Sequence, residues 1–166
     1  MILGKGDIAS VLKEIDRDEV VFFASGVSNS QETREEEYDR EKTLLLKQTN
    51  LFHHLVYFSS LAVFESDTRY IKHKRLMEHL VKTFFPKHTI VRIGNITWGK
   101  NPNTLLNFMR NKIKNKEVFD IQDVYRYIVD KEEFLYWLKR IPEWSCEMNI
   151  TGKRMKVIDI IYEYCR

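Results

Sequence analysis

Three short runs rich in β-branched and aromatic residues limit the fold more than anything else in this chain. They are Glu19-Val-Val-Phe-Phe-Ala-Ser25, Leu55-Val-Tyr-Phe-Ser59 and Thr89-Ile-Val-Arg-Ile93. None alternates regularly between apolar and polar residues, so they suit strands covered on both faces, as parallel strands are. Parallel neighbours need a long crossover, usually a helix. The intervening segments meet that need. Gln31 to Gln48 reads as a helix with a highly charged first half and Leu44-Leu-Leu46 as its packing end. The acidic run Glu35-Glu-Glu37 within it reads as a solvated face. Tyr70 to Phe84 reads as the next helix, stopped by Pro86. This alternation of strand and helix argues for an α/β fold on a parallel sheet.

The remaining segments extend the pattern. Met1 to Leu12 reads as a very short strand running into a helix through Gly4 and Gly6. Gly94 to Gly99 reads as a loop, and Asn103 to Lys114 as a helix capped by Asn103 or Thr104. Val118 to Val129 is ambiguous, with part of it strand. Asp130 to Arg140 reads as helix, Glu147 to Ile150 as a short last strand, and Lys156 to Tyr164 as a closing helix. No internal repeat or low-complexity linker interrupts the chain.

At 166 residues the chain is expected to form one domain, residues 1–166, with a real core. Apolar residues make up 43% and charged residues 31%, a soluble globular balance. The net charge is only +3, with basic and acidic residues interleaved, so no nucleic-acid partner is expected. Cys146 and Cys165 lack metal or redox spacing and read as free thiols in a reducing, cytoplasmic setting. Met1-Ile-Leu is too short an apolar run for a signal peptide, and no stretch is long enough to cross a membrane. The histidines His53, His54, His73 and His79 lack carboxylate or cysteine partners at metal spacing, so no metal is expected. Trp98, Trp137 and Trp144, with Tyr125, Tyr127 and Tyr136, read as core or an interface.

Two constellations carry chemistry. In Tyr70-Ile-Lys-His-Lys74 a phenol and an ammonium stand at i and i+4, on one face of a helix. A fixed positive charge favours the phenolate and so eases deprotonation. The strand before this helix ends in Ser59 and Ser60, whose hydroxyls could hold a substrate oxygen beside the phenol, making a proton-transfer set for a carbonyl or alcohol. At the other constellation, Gly4, Gly6 and Ala9 fit G-x-G-x-x-[GA] between a strand and a helix. Such glycines permit a tight turn and close approach of a pyrophosphate to a helix N-terminus. A plain glycine turn is the simpler reading of that motif alone.

Taken in order, these segments resemble the extended short-chain dehydrogenases/reductases, in their branch of nucleotide-sugar epimerases, dehydratases and reductases. Gly4-Lys-Gly-Asp-Ile-Ala9 resembles the dinucleotide loop, and Val21-Phe-Phe-Ala-Ser25 the strand ending beside the cofactor ribose. Val56-Tyr-Phe-Ser-Ser60 with Val63-Phe64 resembles the strand that carries the family serine, and Tyr70-x-x-x-Lys74 the signature dyad. Ile90-Val-Arg-Ile-Gly-Asn95 with Gly99, and Asn149-Ile-Thr-Gly152, resemble the later substrate-side segments.

The resemblance implies a Rossmann-like three-layer α/β/α fold of reduced size, with a small substrate-side portion around residues 95–150. It implies Ser60, Tyr70 and Lys74 as the catalytic set, with Tyr70 as general acid/base. It implies NAD or NADP held by Gly4, Gly6, Ala9, Ala24, Ser25, Gly26, Tyr70 and Lys74. Ser60 and Asn95 would face a nucleotide-sugar substrate of polysaccharide biosynthesis. It also implies a homodimer paired through the Tyr70 helix, with His73, Met77 and Leu80 at the interface. The alternative is an inactive relative that binds a sugar nucleotide or a protein partner.

The chain also departs from that family. Leu12-Lys-Glu-Ile-Asp-Arg-Asp18 leads straight to the Val20 strand, so the two strands of the adenine half are missing and no residue selects NAD over NADP. Strand one would then lie near a sheet edge. The link from Ser60 to Tyr70 is short, with only Glu65-Ser-Asp-Thr-Arg69 as loop.

Overall fold

A computed structural model describes residues 1–49 and 53–166. In chain order the elements are β1 (Ile2–Leu3), α1 (Asp7–Leu12), β2 (Val20–Phe23), α2 (Glu35–Leu46) and β3 (His54–Ser60). A short 3₁₀ turn, Leu61–Phe64, leads to α3 (Arg69–Phe84), β4 (His88–Ile93) and β5 (Asn95–Ile96). Then come α4 (Leu105–Lys114), β6 (Tyr125–Val129), α5 (Lys131–Leu138), β7 (Cys146–Ile150), β8 (Lys153–Lys156) and α6 (Val157–Tyr164).

The main sheet runs β1-β2-β3-β4-β7, parallel throughout. Its strands bury both faces, as their unbroken apolar runs require. Along β2 and β3 successive side chains enter opposite cores. Phe22, Val56 and Phe58 join Leu12 of α1 with Phe134 and Leu138 of α5. Val21, Phe23, Leu55 and Tyr57 join Leu45 of α2 with Met77 and Val81 of α3. Helices on both faces make the α/β/α sandwich of a Rossmann-like fold, as the alternating pattern predicts. A side chain the size of Phe22 or Leu45, fully buried, contributes about 1.5–3 kcal/mol.

A second, smaller sheet runs β5-β6-β8, with β6 and β8 antiparallel. It lies under α4 and α6 through Leu106, Met109, Ile128, Ile160 and Ile161. Two parts of it were not expected. The segment read as a loop at 94–99 contains β5, and the polar Lys153-Arg-Met-Lys156 forms β8. Gly152 makes the approach to β8 possible: its φ is +61°, and a Cβ there would stand 2.0 Å from the Ile128 carbonyl oxygen.

Other expectations need correction. Helix α2 starts at Glu35, not Gln31, because Glu32 turns its carboxylate onto the Thr33 and Arg34 amides and holds them outside the helix. His73 and Met77 do not form an outer face of α3; both are buried inside the chain, and the exposed apolar residues of that helix are Leu76 and Phe84. Of the aromatic residues read as core or an interface, Trp137, Trp144, Tyr125 and Tyr136 are exposed, which removes only the core alternative for them, while Trp98 is half-buried with its ring 5.2 Å from that of Phe134. Strand β1 is the sheet edge, as expected from the short run that leads from α1 straight to β2.

Candidate functional site

A cavity of about 1120 Å³ opens above the carboxyl ends of β1 to β4. Ligands of open α/β sheets bind at that end of the strands. Local sequence sets its walls. Strand β3 ends at Ser60, whose Oγ accepts a hydrogen bond from the Ala62 amide at 3.2 Å and so starts the 3₁₀ turn. Thr68 caps α3, its Oγ1 accepting from the Ile71 amide at 3.3 Å. That cap puts Tyr70 in the first turn and Lys74 one turn later, with the ammonium 5.6 Å from the Tyr70 ring centroid.

Most of the sequence-derived candidates meet on this cavity: Ser60, Tyr70, Lys74, Gly6, Ala24, Ser25, Gly26 and Asn95 all line it. Two do not. Ala9 is buried in α1, and Gly4 lies beneath the turn with φ of +139°. A Cβ on Gly4 would stand 2.2 Å from the Ala24 carbonyl oxygen, so this glycine serves strand approach and not ligand approach. Gly6 is the open position, with nothing within 4 Å of a Cβ built there. The Asn95 amide donates to the Tyr127 carbonyl at 3.1 Å.

Lys74 is more constrained than the Tyr–Lys spacing suggested. It is 3% exposed, and its Nζ donates to Glu41 Oε1 and to Tyr57 Oη, both at 3.1 Å. The Tyr57 hydroxyl donates to the same Glu41 oxygen at 2.8 Å. The other Glu41 oxygen accepts from the Val27 amide at 2.8 Å and stands 3.1 Å from His73 Nε2. Gly26 closes over the cluster from the loop after β2.

The charges follow from this geometry. Burial alone would push the Glu41 carboxyl up, but the Lys74 ammonium, with His73 and the Val27 N–H, overcomes it and holds the carboxyl well below its ordinary value. Burial likewise opposes the charge on Lys74, and the adjacent Glu41 carboxylate outweighs it, so the ammonium is held above its ordinary value. Burial, reinforced by Glu41, pushes the Tyr57 phenol well up, so it is a neutral donor.

Sequence reasoning gave Glu41 no role, reading only the acidic run Glu35-Glu-Glu37 of its helix as a solvated face. A signal existed: Tyr38, Glu41 and Leu45 fall at i, i+3 and i+7, the stripe that α2 buries. Asp7 was also missed. Its carboxylate accepts from the Lys100 amide at 3.0 Å and the Asn101 amide at 2.9 Å, and its carbonyl accepts from Trp98 Nε1 at 3.1 Å. These bonds dock the loop after β5 onto the glycine turn. Finally, Ser59 Oγ is the one buried side-chain polar atom without a hydrogen-bond partner among the described residues, and Ser59 also borders the cavity.

No protein-family model and no curated protein matches this sequence. Solved structures match its fold. The UDP-N-acetylglucosamine 4-epimerase of Methanobrevibacter ruminantium matches at TM-score 0.64 and 13% identity, over 92% of this chain and 61% of that one. A UDP-glucuronic acid 4-epimerase from Bacillus cereus matches at 0.67 and 14%, over 92% and 60%. A dTDP-glucose 4,6-dehydratase from Bacillus anthracis, solved with NAD, matches at 0.67 and 15%, over 93% and 58%. The shared feature is the Rossmann-like α/β fold, and this chain spans about three fifths of the length of those proteins.

Proposed function

We propose that the cavity binds a nucleotide-linked sugar, and that the chain is an NAD(P)-dependent oxidoreductase or epimerase-like protein acting on it. One observation carries the reading: Ser60, Tyr70 and Lys74 line the same cavity at the carboxyl ends of the parallel strands. The fold shared with nucleotide-sugar epimerases and a dehydratase supports it. The reading treats residues 1–166 as one domain with its substrate-side portion around 95–150. It takes the protein as cytoplasmic; among the described residues no helix is long and apolar enough to cross a membrane. It also includes a homodimer paired through α3, with Leu76 and Phe84 in the place first given to His73 and Met77.

The residues fit the nicotinamide half of the cofactor. Space is open above Gly6, and Ala24, Ser25, Gly26, Tyr70 and Lys74 border it. The adenine half has no counterpart, since no strand lies beyond β1 among the described residues. When bound, the nicotinamide supplies hydride acceptance and donation. The chain itself supplies the rest. Tyr70 exchanges a proton with a sugar hydroxyl or ketone, Ser60 hydrogen-bonds that oxygen, and Lys74 holds its charge beside the Tyr70 ring.

A second reading is a relative that binds the sugar nucleotide without turnover. The Glu41 carboxylate favours it, because it offsets the charge that would activate Tyr70. Fluorescence titration with NADH and NADPH, and calorimetry with UDP-sugars, separate the two. Cofactor and sugar both binding supports the enzyme. Sugar alone binding supports the second reading, and neither binding at millimolar concentration rejects both.

A further inference from the structure

Carboxylates are almost never fully buried without a specific partner. Glu41 has no exposed surface, and donors converge on both of its oxygens from the loop after β2, from β3 and from α3. We propose that Glu41 is the positioning residue for Lys74, supplying both the counter-charge and the acceptor that hold the ammonium on the cavity wall beside Tyr70. The inference deepens the proposed function and rests on it for the purpose of the site, but the geometry stands without it.

The surroundings leave this role to Glu41. An ammonium has three donors. Glu41 and Tyr57 each take one, which leaves the third for the cavity that Lys74 lines. The groups around Lys74 are Glu41 and Tyr38 on α2, Tyr57 on β3, and Tyr70, His73 and Glu78 on α3. Tyr57 is kept neutral by burial. Glu78 is already paired with Arg92, its Oε1 accepting from Arg92 Nε at 2.9 Å. The anion in hydrogen-bond contact with the Lys74 ammonium is therefore Glu41. Gly26 completes the clamp, since a Cβ there would come within 2.7 Å of Lys74 Nζ and 3.0 Å of Glu41 Oε1. Without the carboxylate, an ammonium this deeply buried would lose its proton readily. The side chain would then donate through a neutral amine or leave the wall.

Lysine-labelled protein, followed by NMR against pH, tests this without any ligand, with the Lys74 signal assigned through Lys74→Arg. Wild-type Lys74 should stay protonated through about pH 10, the ordinary lysine range. Glu41→Gln should lower its midpoint by about two pH units or more, a fall of about 100-fold in proton affinity. Tyr57→Phe, which removes a hydrogen bond but keeps the carboxylate, should shift it by less than half as much, and Glu41→Asp should restore part of the loss. An unchanged midpoint in Glu41→Gln, or an equal shift in Tyr57→Phe, overturns the proposal. Should Glu41→Gln fail to fold, the wild-type titration decides: a Lys74 that loses its proton near neutrality overturns it. Failure to bind NADH or UDP-sugars would reject the function proposed above and leave this result intact.

Discussion

Gly26 stands over Lys74 so closely that one added methyl group would lie 2.7 Å from the ammonium nitrogen. The lysine cannot simply swing aside, because Glu41 and Tyr57 both hold it. Gly26→Ala should therefore cost about 1–3 kcal/mol, the usual range for overpacking a tight interior. Urea unfolding of the variant checks this. An unchanged midpoint would mean that Lys74 has a second resting place.

The Glu41 cluster should make the protein acid-sensitive. The folded carboxyl is more acidic than its ordinary value of 4.5, so the unfolded chain binds the proton more tightly. The stabilisation is present above about pH 4.5 and fades as pH falls toward the depressed folded value. Lys74 runs the other way: its folded affinity for the proton is raised, so its contribution is full below its ordinary value of 10.5 and fades as pH rises beyond that. Urea midpoints measured from pH 3 to 7 should show a slope that flattens in Glu41→Gln. Glu41→Ala, which leaves a buried ammonium uncompensated, should cost about 3–5 kcal/mol at neutral pH.

Asp7 should control the loop after β5. Asp7→Ala removes the acceptor for the Lys100 and Asn101 amides and should cost about 1–3 kcal/mol. Hydrogen exchange at those two amides should accelerate more than exchange in β3. Equal protection in the variant would show that the loop is held by other contacts.

On the function proposed above, Tyr70→Phe separates binding from proton transfer. Tyr70 is only partly buried, so the fold should survive its change. Any turnover of a UDP-sugar should fall by about 10²–10⁴-fold, the usual range for a general acid or base, while sugar-nucleotide affinity holds within a few-fold. Steady-state rates with calorimetry check both halves, and full activity in Tyr70→Phe would end the general-acid assignment.

Much of this architecture could be read along the chain because it depends on local repetition. The runs at Val20, Leu55 and Ile90 are strands since their residues suit burial on both faces, and the charged stretches between them are helices since a crossover between parallel strands is usually one. The Tyr70–Lys74 spacing and its helix follow from the same periodicity. The polar Lys153-Arg-Met-Lys156 carries no such signal and becomes a strand only because the outer edge of β6 is open to it. His73 and Met77 illustrate the same limit: amphipathic spacing shows that α3 has a buried face, but not what that face meets.

The sequence alone determined the strand–helix order of the main sheet and the chemical groups carried at its strand ends, since both depend on residues near each other in the chain. What only the tertiary structure decided is which charges meet. Glu41 and Lys74 are far apart along the chain, and whether a charged side chain sits in water or against its opposite depends on how α2 and α3 pack on the sheet. Coulomb interactions act through space and strengthen as water is excluded, so the state of the lysine was settled by the fold and not by the motif that contains it.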